Sequence, residues 1–471
     1  MNDIIKLAWR NLWRNRRRTL ITATSIFFAI FIAIVMRSFQ LGTYGHMIKQ
    51  SIESFSGYLQ IQQPEYYNDP NINHSFKYTE NLENEINNID NVQATVPRIE
   101  SFALASNGTQ SKGIMLIGIS PEKELQLSNP KHKLIHYRFT PEAVDQLSKS
   151  DQLPDNIKKN IEKFKNYSYS TTARIELDLQ LSKEEIKKYL DIITKATAFK
   201  SNYLTEEDNG VLLSDRLSRY LKAAVGDTVV LLGQGYHGVS AAGIYPVRGI
   251  VSIPSPDLDN KLIYMTLKEA NIFLGMQGNI TSLAINLKDP DKMDETQQKI
   301  QDVIGSKNYV VKNWEELIPV IKQQIEGDNV SGQIMLGILY AIVFFGIFGT
   351  VLMMVAERKR EFGMLVAIGM RRSKLAWILA IEMTLLGFIG AASGMLASVP
   401  VILFGYYHPI QLGGDMAKML EDMGWDPVMP MEWFSSYFYK QGIIIVVMVA
   451  LACWFPVRSI LKLNTIKALR N

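Results

Sequence analysis

Cysteine is nearly absent from this 471-residue chain, in which Cys453 is the only one. A single cysteine excludes an internal disulfide, so any exported part of the chain must be stabilised by its hydrophobic core. No glycine is followed by lysine, which excludes a phosphate-binding loop of the Walker type. No serine stands in a Gly-x-Ser-x-Gly elbow. These absences predict a protein that is not an enzyme.

Histidine is scarce as well, with six residues in the chain and no His-Glu-x-x-His pattern. His132 and His136 have the i,i+4 spacing of some metal sites, but no cysteine lies near them. A surface pair is the favoured interpretation, and we predict no metal site. The net charge of +4 gives no reason to expect nucleic-acid binding.

Four long runs are free of charge or nearly so, namely residues 19–36, 334–356, 375–404 and 441–457. Each is about as long as the roughly 20 residues that cross a bilayer as a helix. Residues 36–39 (Met-Arg-Ser-Phe) do not form the small-x-small pattern of a cleavage site, so an uncleaved anchor is favoured over a signal peptide. We predict an α-helical four-span transmembrane domain with a large α+β domain between spans 1 and 2.

Basic residues cluster beside these runs and predict their orientation. Residues 1–19 hold six Lys/Arg and one acid, residues 357–374 six and two, and residues 456–471 four and none. Residues 405–440 hold two basic residues against five acids. Both termini and residues 357–374 are therefore expected in the cytoplasm. Together with the lack of disulfides, this points to a bacterial inner membrane and a periplasmic large domain.

The expected segments follow from these runs. In chain order they are a cytoplasmic amphipathic helix (1–18), span 1 (19–40), the periplasmic domain (41–330, with 141–202 as an insertion), span 2 (331–356), a cytoplasmic segment (357–374), span 3 (375–404), a periplasmic loop (405–440), span 4 (441–457) and a cytoplasmic tail (458–471).

Helical patterns extend beyond the spans as stalks. The first helix carries Ile5, Trp9, Leu12 and Trp13 among basic residues, as expected of a helix at the membrane surface. A second helix is predicted from about Arg18 to Phe55.

A partner stalk is predicted before the second span. Asn313 and Glu316 form a capping-box pattern at its start, and Pro319 is expected to kink it.

The large domain alternates strand and helix patterns. Stretches such as VQATVPRIESFALAS, KGIMLIGI and YPVRGIVSI indicate strands, and TLKEANIFLG and LLSDRLSRYLKAAV indicate helices. Residues 141–202, rich in Lys, Glu and Asp, are interpreted as an inserted subdomain or a mobile excursion.

Residues 357–374, ERKREFGMLVAIGMRRSK, place nine largely apolar residues between two clusters of charge. The stretch is too short to cross a bilayer. On a helix, Phe362, Leu365, Val366 and Ile368 cover most of the circumference, which predicts burial on more than one side. The membrane underside covers one side, so a protein partner is expected on the rest. A buried turn within the same subunit is the alternative.

Glu382 is an ionisable residue well inside the third run. A proton or ion path is one interpretation of such a residue, but a structural ion pair or interfacial position is favoured. The basic residues near it in sequence are Arg371, Arg372 and Lys374. Three glycines follow at helical spacing and predict a face for close helix packing: Gly387, Gly390 and Gly394.

With this topology, residues 357–374 resemble the cytoplasmic segment between the second and third spans of FtsX-type (type VII) ABC-transporter permeases. The residues that carry the resemblance are Glu357, Arg358, Glu361, Phe362, Gly363, Leu365, Ala367, Ile368 and Gly369. The ending FPVRSILKLNTIKALRN is also similar, with Thr465 in place of the family's second proline.

The resemblance implies that these residues form a coupling helix against an ABC ATPase subunit, present in two copies. That partner would bind ATP and Mg, so this chain is expected to bind no cofactor directly. A second permease subunit, identical or paralogous, is implied as well.

The large domain resembles the MacB-type periplasmic core, and more closely that of lipoprotein-releasing (LolC/LolE-type) permeases, in stretches such as SGYLQIQQPEYYNDP and GVLLSDRLSRYLKAAVGDTVVL. This implies release of lipoproteins to a periplasmic carrier, with entry from the membrane lipid between spans 1 and 2. The residues expected to line a groove there are Ile26, Phe27, Ile30, Phe31, Ile34, Phe344, Phe345 and Phe348. An ordinary lipid-facing helix has the same composition. MacB-like extrusion of peptides or drugs and FtsX-like signalling to cell-wall hydrolases are the alternatives.

Overall fold

A computed structural model describes residues 2–14, 16–52, 56–108, 110–253, 255–305, 308–413, 416–417, 419–420 and 427–462. The chain divides into two compact units. The first, called the helical unit, comprises Met1–His46, Gln323–Gln411 and Val428–Asn471. The second, called the large domain, comprises Met47–Lys322 and Leu412–Pro427.

The helices, in chain order, are α1 (Asn2–Arg14), α2 (Arg16–Ser51), α3 (Glu80–Asn87), α4 (Pro121–Glu124), α5 (Pro141–Ser148), α6 (Asp155–Lys163), α7 (Thr172–Asp178), α8 (Lys183–Thr197), α9 (Asp215–Leu221), α10 (Pro256–Asp259), α11 (Leu267–Leu274), α12 (Met293–Ile304), α13 (Trp314–Leu317), α14 (Pro319–Glu357), α15 (Lys359–Ala367), α16 (Arg372–Tyr407) and α17 (Ser436–Leu461).

The strands, in chain order, are β1 (Leu59–Gln62), β2 (Phe76–Lys77), β3 (Val92–Asn107), β4 (Gln110–Ile119), β5 (Tyr137–Arg138), β6 (Ser168–Tyr169), β7 (Val211–Ser214), β8 (Thr228–Gln234), β9 (Ser240–Val251), β10 (Leu262–Thr266), β11 (Asn279–Ile280), β12 (Ser282–Leu287), β13 (Val310–Asn313), β14 (Ile410–Gln411) and β15 (Val428–Met429).

Four helices of the described chain are long and apolar enough to cross a membrane: α2 from Thr19, α14, α16 and α17. They coincide with the four charge-poor runs of the sequence, and strands and helices alternate between the first and second of them. The predicted fold class, four spans with a large α+β domain between spans 1 and 2, is confirmed.

Helix α16 is the best packed of the four, with more than half of its most apolar window buried. A β-carbon at Gly394 would lie 2.7 Å from the carbonyl oxygen of Phe27 and 3.1 Å from the β-carbon of Ile30. At Gly390 it would lie 2.7 Å from the β-carbon of Ile26. Two members of the predicted glycine face, Gly390 and Gly394, therefore form the contact at which α2 packs on α16, whereas Gly387 lies against Val449 of α17.

The stalk helices begin close to where the sequence predicts. Helix α2 runs unbroken for 36 residues, about 54 Å at 1.5 Å per residue. Phe55, the predicted end of this stalk, lies outside the described residues. In the helical unit, the Arg37 guanidinium donates to the side-chain oxygen of Asn329 on α14 over 2.7 Å.

The second stalk differs from the prediction at Pro319. The capping box is present, because Asn313 accepts from the Glu316 amide and Glu316 accepts from the Asn313 amide. Pro319 does not kink a continuous helix, however. Helix α13 ends at Leu317, Ile318 is non-helical (φ −127°, ψ 64°), and α14 begins at the proline. A first-turn position suits proline because its missing N–H has no partner there anyway.

Helix α1 packs in the helical unit through Ala8 and Leu12, which are buried. Trp9 and Trp13 remain exposed and meet edge to face, with ring centroids 6.0 Å apart. The side chain of Ile5 is not among those described.

The large domain is built on one nine-stranded sheet in the order β13-β1-β12-β3-β4-β10-β7-β9-β8. The first half of the long strand β3 pairs with β12 and its second half with β8, so six strands close into a ring. The main core of the large domain is formed by aliphatic residues from these strands, with α9 and α11 packed against it.

The prediction for residues 212–214 was wrong, because these residues, predicted as the start of a helix, belong to strand β7. It pairs with β10 on one side and β9 on the other, and all four residues are buried. Periodicity does not distinguish such a short apolar run from a buried helix segment. The helix begins at Asp215.

Residues 141–202, together with the adjoining residues 137–139, form a helical subdomain with a hydrophobic core of its own. Helices α5 to α8 and the two-stranded sheet β5–β6 surround this core, whose buried residues include Phe139, Val144, Ile157, Tyr169 and Ile193. The segment is thus folded around its own core, and its interpretation as an insertion stays a prediction.

We expect Gly394→Ala to destabilise the chain by about 1–3 kcal/mol, because a new methyl group would overlap backbone atoms of α2. The matched control is Gly346→Ala on α14, where a β-carbon meets no atom within 4 Å. Melting temperatures of the detergent-solubilised chain measure both. Equal losses in the two variants would contradict the close α2–α16 packing.

Candidate functional site

Helix α15 is a short element between the second and third apolar helices, and it lies outside all four candidate spans. It is separated from α14 by one non-helical residue, Arg358 (φ −95°, ψ 9°). At its other end the Gly369 amide donates to the Val366 carbonyl and the Met370 amide to the Leu365 carbonyl. This is a Schellman ending, and it requires the positive φ of +104° that Gly369 adopts.

One face of α15 belongs to the core of the helical unit. Phe362 is buried in the same hydrophobic cluster as Leu379 and Met383 of α16, and Val366 packs against that cluster. Gly363 is buried beside them. The expectation of a buried turn within the subunit is thus met on this face.

The opposite face of α15 is apolar and exposed. Ile368 is 85% exposed, Met364 45% and Leu365 38%. Ala367 and Gly369 are exposed as well, as is Glu357 at the end of α14. A contiguous apolar surface that lies outside the spans is typical of a site where another protein binds.

The residues predicted for coupling therefore divide into two groups. Phe362 and Gly363 hold α15 in its own subunit, whereas Leu365, Ala367 and Ile368 are available to a partner. Met364 belongs to the exposed group as well, although it was not among the residues predicted for coupling. Its position one turn before Ile368, on the same face of the helix, would have indicated it.

Glu382 is buried and accepts hydrogen bonds from Nη1 of Arg358, at 3.0 Å to Oε2 and 3.3 Å to Oε1. The favoured interpretation as a structural ion pair agrees with this contact, but its cation is Arg358. Arg371, Arg372 and Lys374, although near in sequence, are exposed. The guanidinium of Arg358 also lies 5.1 Å from the centre of the Phe362 ring.

Glu361, on the first turn of α15, links the helix to α1. Its Oε2 lies 2.6 Å from Nη2 of Arg14 and 3.4 Å from Nε of Arg358. The hydrogen bond from Arg14 and the two positive charges lower the pKa of the Glu361 carboxyl, so it is ionised at neutral pH. Arg14 was not selected from the sequence, because its pairing with a residue 347 positions away depends on the fold.

The residues predicted to line a groove are not brought together on one open surface. Ile26, Ile30 and Ile34 are buried in the core of the helical unit, because Gly390 and Gly394 let α2 approach α16 closely. These three side chains do not line an open groove in this conformation.

The aromatic members of the set are more accessible. Phe27 stacks on Phe31 at 5.9 Å and Phe344 on Phe348 at 6.0 Å between ring centroids, and Phe345 is exposed. A groove role for these five residues, Phe27, Phe31, Phe344, Phe345 and Phe348, stays a prediction.

His132 and His136 are both exposed on the large domain. Within the described ranges, no three His, Cys, Asp or Glu residues are grouped so that they would hold a metal ion.

Residues 334–465 match a family described as the FtsX-like permease C-terminal domain. The chain is 25% identical over 198 residues to a macrolide export ATP-binding/permease protein MacB of Rhodopirellula baltica, covering 41% of this chain and 26% of that protein. It is 22% identical over 222 residues to the lipoprotein-releasing system transmembrane protein LolC of Neisseria meningitidis, covering 46% of this chain and 53% of that protein. The chain thus spans about a quarter to a half of the length of these curated relatives.

Among solved structures, the periplasmic region of MacB from Actinobacillus actinomycetemcomitans is similar at 13% identity, with a TM-score of 0.30. The match covers 57% of this chain and 92% of that one.

We expect Gly369→Val to loosen the end of α15, because a β-branched residue at φ +104° costs about 1–3 kcal/mol. No atom lies within 4 Å of the added β-carbon, so the cost is in the backbone alone. Gly369→Asn should be milder, since asparagine tolerates positive φ better. Hydrogen exchange of the peptide spanning 364–371 measures the effect. Equal exchange in Gly369→Val and the parent chain would show that the turn does not hold the helix end.

Proposed function

Because the chain belongs to the FtsX-like ABC-transporter permeases, we propose that it transmits the work of a separate ATPase subunit to its large domain. Helix α15 is the coupling helix in this proposal. The observation that carries it is the exposed apolar face formed by Met364, Leu365 and Ile368 outside the candidate spans. Leaving such a face in water is unfavourable, and a partner groove that covers it gains the corresponding apolar burial.

The nucleotide is bound by the partner in this proposal. This chain contains no Gly-Lys dipeptide and hence no Walker loop. ATP and Mg would be held by two copies of the ATPase, one beneath each of two permease subunits.

The proposed location is a bacterial inner membrane, with both termini and α15 in the cytoplasm and the large domain in the periplasm. The support is the distribution of basic residues, six of which lie in residues 1–19 and six in residues 357–374. In that orientation the exposed face of α15 meets the compartment that contains ATP.

For the cargo we propose lipoproteins, extracted from the membrane and passed to a periplasmic carrier. The support is the similarity to LolC proteins, which extends over about half the length of each. Relatives named for macrolide export are matched over a smaller share of their length. Extrusion of a drug or peptide is therefore the second candidate.

We expect Ile368→Asp to abolish co-purification of the ATPase subunit, because a carboxylate would have to be buried in an apolar contact. The matched control is Ile272→Asp on α11 of the large domain, where an isoleucine of 65% exposure is replaced by the same residue. Both variants are expected to insert into the membrane normally. Retention of the ATPase by Ile368→Asp, or its loss in both variants, would refute the assignment of α15.

Depletion of the chain is expected to leave lipoproteins destined for the outer membrane in the inner membrane. Fractionation of the two membranes, followed by detection of the lipoproteins, measures this. The control is a membrane protein without a lipid anchor, whose distribution should not change. Normal lipoprotein sorting together with loss of macrolide or peptide efflux would replace the lipoprotein proposal with the extrusion one.

A further inference from the structure

Four charged side chains of alternating sign form a continuous line through the helical unit, from α1 through α15 to α16. Arg14 contacts Glu361, Glu361 contacts Arg358, and Arg358 contacts Glu382. The side chains become steadily less exposed along this line, at 55% for Arg14, 46% for Glu361, 12% for Arg358 and 3% for Glu382. The line therefore starts in solvent and ends inside an apolar bundle.

The inner pair differs physically from the outer one. Water competes with and screens the Arg14–Glu361 contact, so it is easily broken. The Arg358–Glu382 contact is almost fully buried and lies beside the Phe362 ring. The low dielectric there strengthens the contact, and either charge alone would be strongly unfavourable. Separating Arg358 from Glu382 is consequently much harder than separating Arg14 from Glu361.

Arg358 also occupies a particular place in the backbone. It is the single non-helical residue between α14 and α15, and so the point at which those two helices can bend relative to each other. Its side chain, however, is bound to α16. A force applied to α15 would only bend the chain at Arg358 unless the side chain of this residue fixes α15 to a neighbouring helix.

We propose that Arg358 is a positioning residue that locks α15 to α16 through Glu382, so that both move as one body when α15 is pushed. This rests on the proposed coupling role of α15 and adds the route that the force takes. From α16 the displacement passes to α2, which is packed against Gly390 and Gly394 without room to slip.

Variants of the pair separate this role from a merely structural one. Glu382→Gln alone removes the buried partner of Arg358 and leaves that largely buried charge facing the half-exposed Glu361 carboxylate at 3.4 Å, so it is expected to destabilise the protein. Arg358→Met combined with Glu382→Gln removes both charges at similar volume, and such neutral replacements usually restore stability. Arg358→Lys keeps the charge pair but loses the planar guanidinium, which donates to Glu382 through Nη1 and to Glu361 through Nε.

The readout is the ATP-dependent change in distance between two spin labels in the reconstituted complex with its ATPase. The chain's single cysteine, Cys453, is replaced by alanine, and cysteines are placed at Ile272 in the large domain and at Lys462 after the last span. Both positions are exposed. Melting temperature and co-purification of the ATPase are measured on the same samples.

We expect the neutral double variant to melt near the parent temperature and to retain the ATPase, since Met364, Leu365 and Ile368 are untouched. It should nevertheless lose most of the ATP-dependent distance change, which Arg358→Lys should largely keep. A full distance change in the neutral double variant would overturn the proposal and leave the pair a structural one. A parent chain that does not bind the ATPase at all would instead refute the proposed function.

Discussion

The contact between α2 and α16 is the constraint on which the rest of the helical unit depends. Gly390 and Gly394 remove the side chains that would keep the two backbones apart, so Ile26 and Ile30 fill the space. Lipid tails are as apolar as these side chains, so the association is stabilised by close packing rather than by exclusion of water. The same contact makes α16 the central helix, with neighbours on several sides.

A central position for α16 explains why a carboxylate on it needs a cation from elsewhere. Glu382 is buried on α16, whereas the basic residues at the start of that helix are exposed. Arg358 supplies the charge because the chain leaves the helical path at that residue and turns its guanidinium inward. Burial of α16, pairing of Glu382 and the orientation of α15 are therefore three results of one packing arrangement.

Helix α15 is packed into its own subunit on one side and presents an apolar surface to solvent on the other. Phe362 and Gly363 bury one side of it in the subunit, while Met364, Leu365 and Ile368 leave the other side apolar and exposed. A helix held on one side only by apolar packing would shift under load. The polar contacts of Glu361 and Arg358 restrict that shift, because their geometry is directional in a way that apolar contacts are not.

The sequence allowed the spans, the large α+β domain and the apolar character of α15 to be predicted, because hydropathy and local periodicity report these features directly. The capping box at Asn313 and Glu316 was predictable for the same reason, since both partners lie within one turn. Features that depend on contacts between residues far apart in sequence were not predictable in this way. The partner of Glu382 is 24 positions away, and that of Glu361 is 347 positions away. The burial of Ile26, Ile30 and Ile34 likewise depends on which helix packs against them, which composition does not reveal.

The subdomain of residues 141–202 enters and leaves the large domain at neighbouring points. Tyr137, on the entering side, forms an antiparallel bridge with Ala198 on the leaving side, and the four helices between them have a core that they share with no strand of the main sheet. Two chain ends that lie side by side are joined by a very short turn when the segment between them is absent. The subdomain is thus structurally separable: no strand of the nine-stranded sheet lies between Tyr137 and Ala198, so none of that sheet's pairings depends on the chain between them.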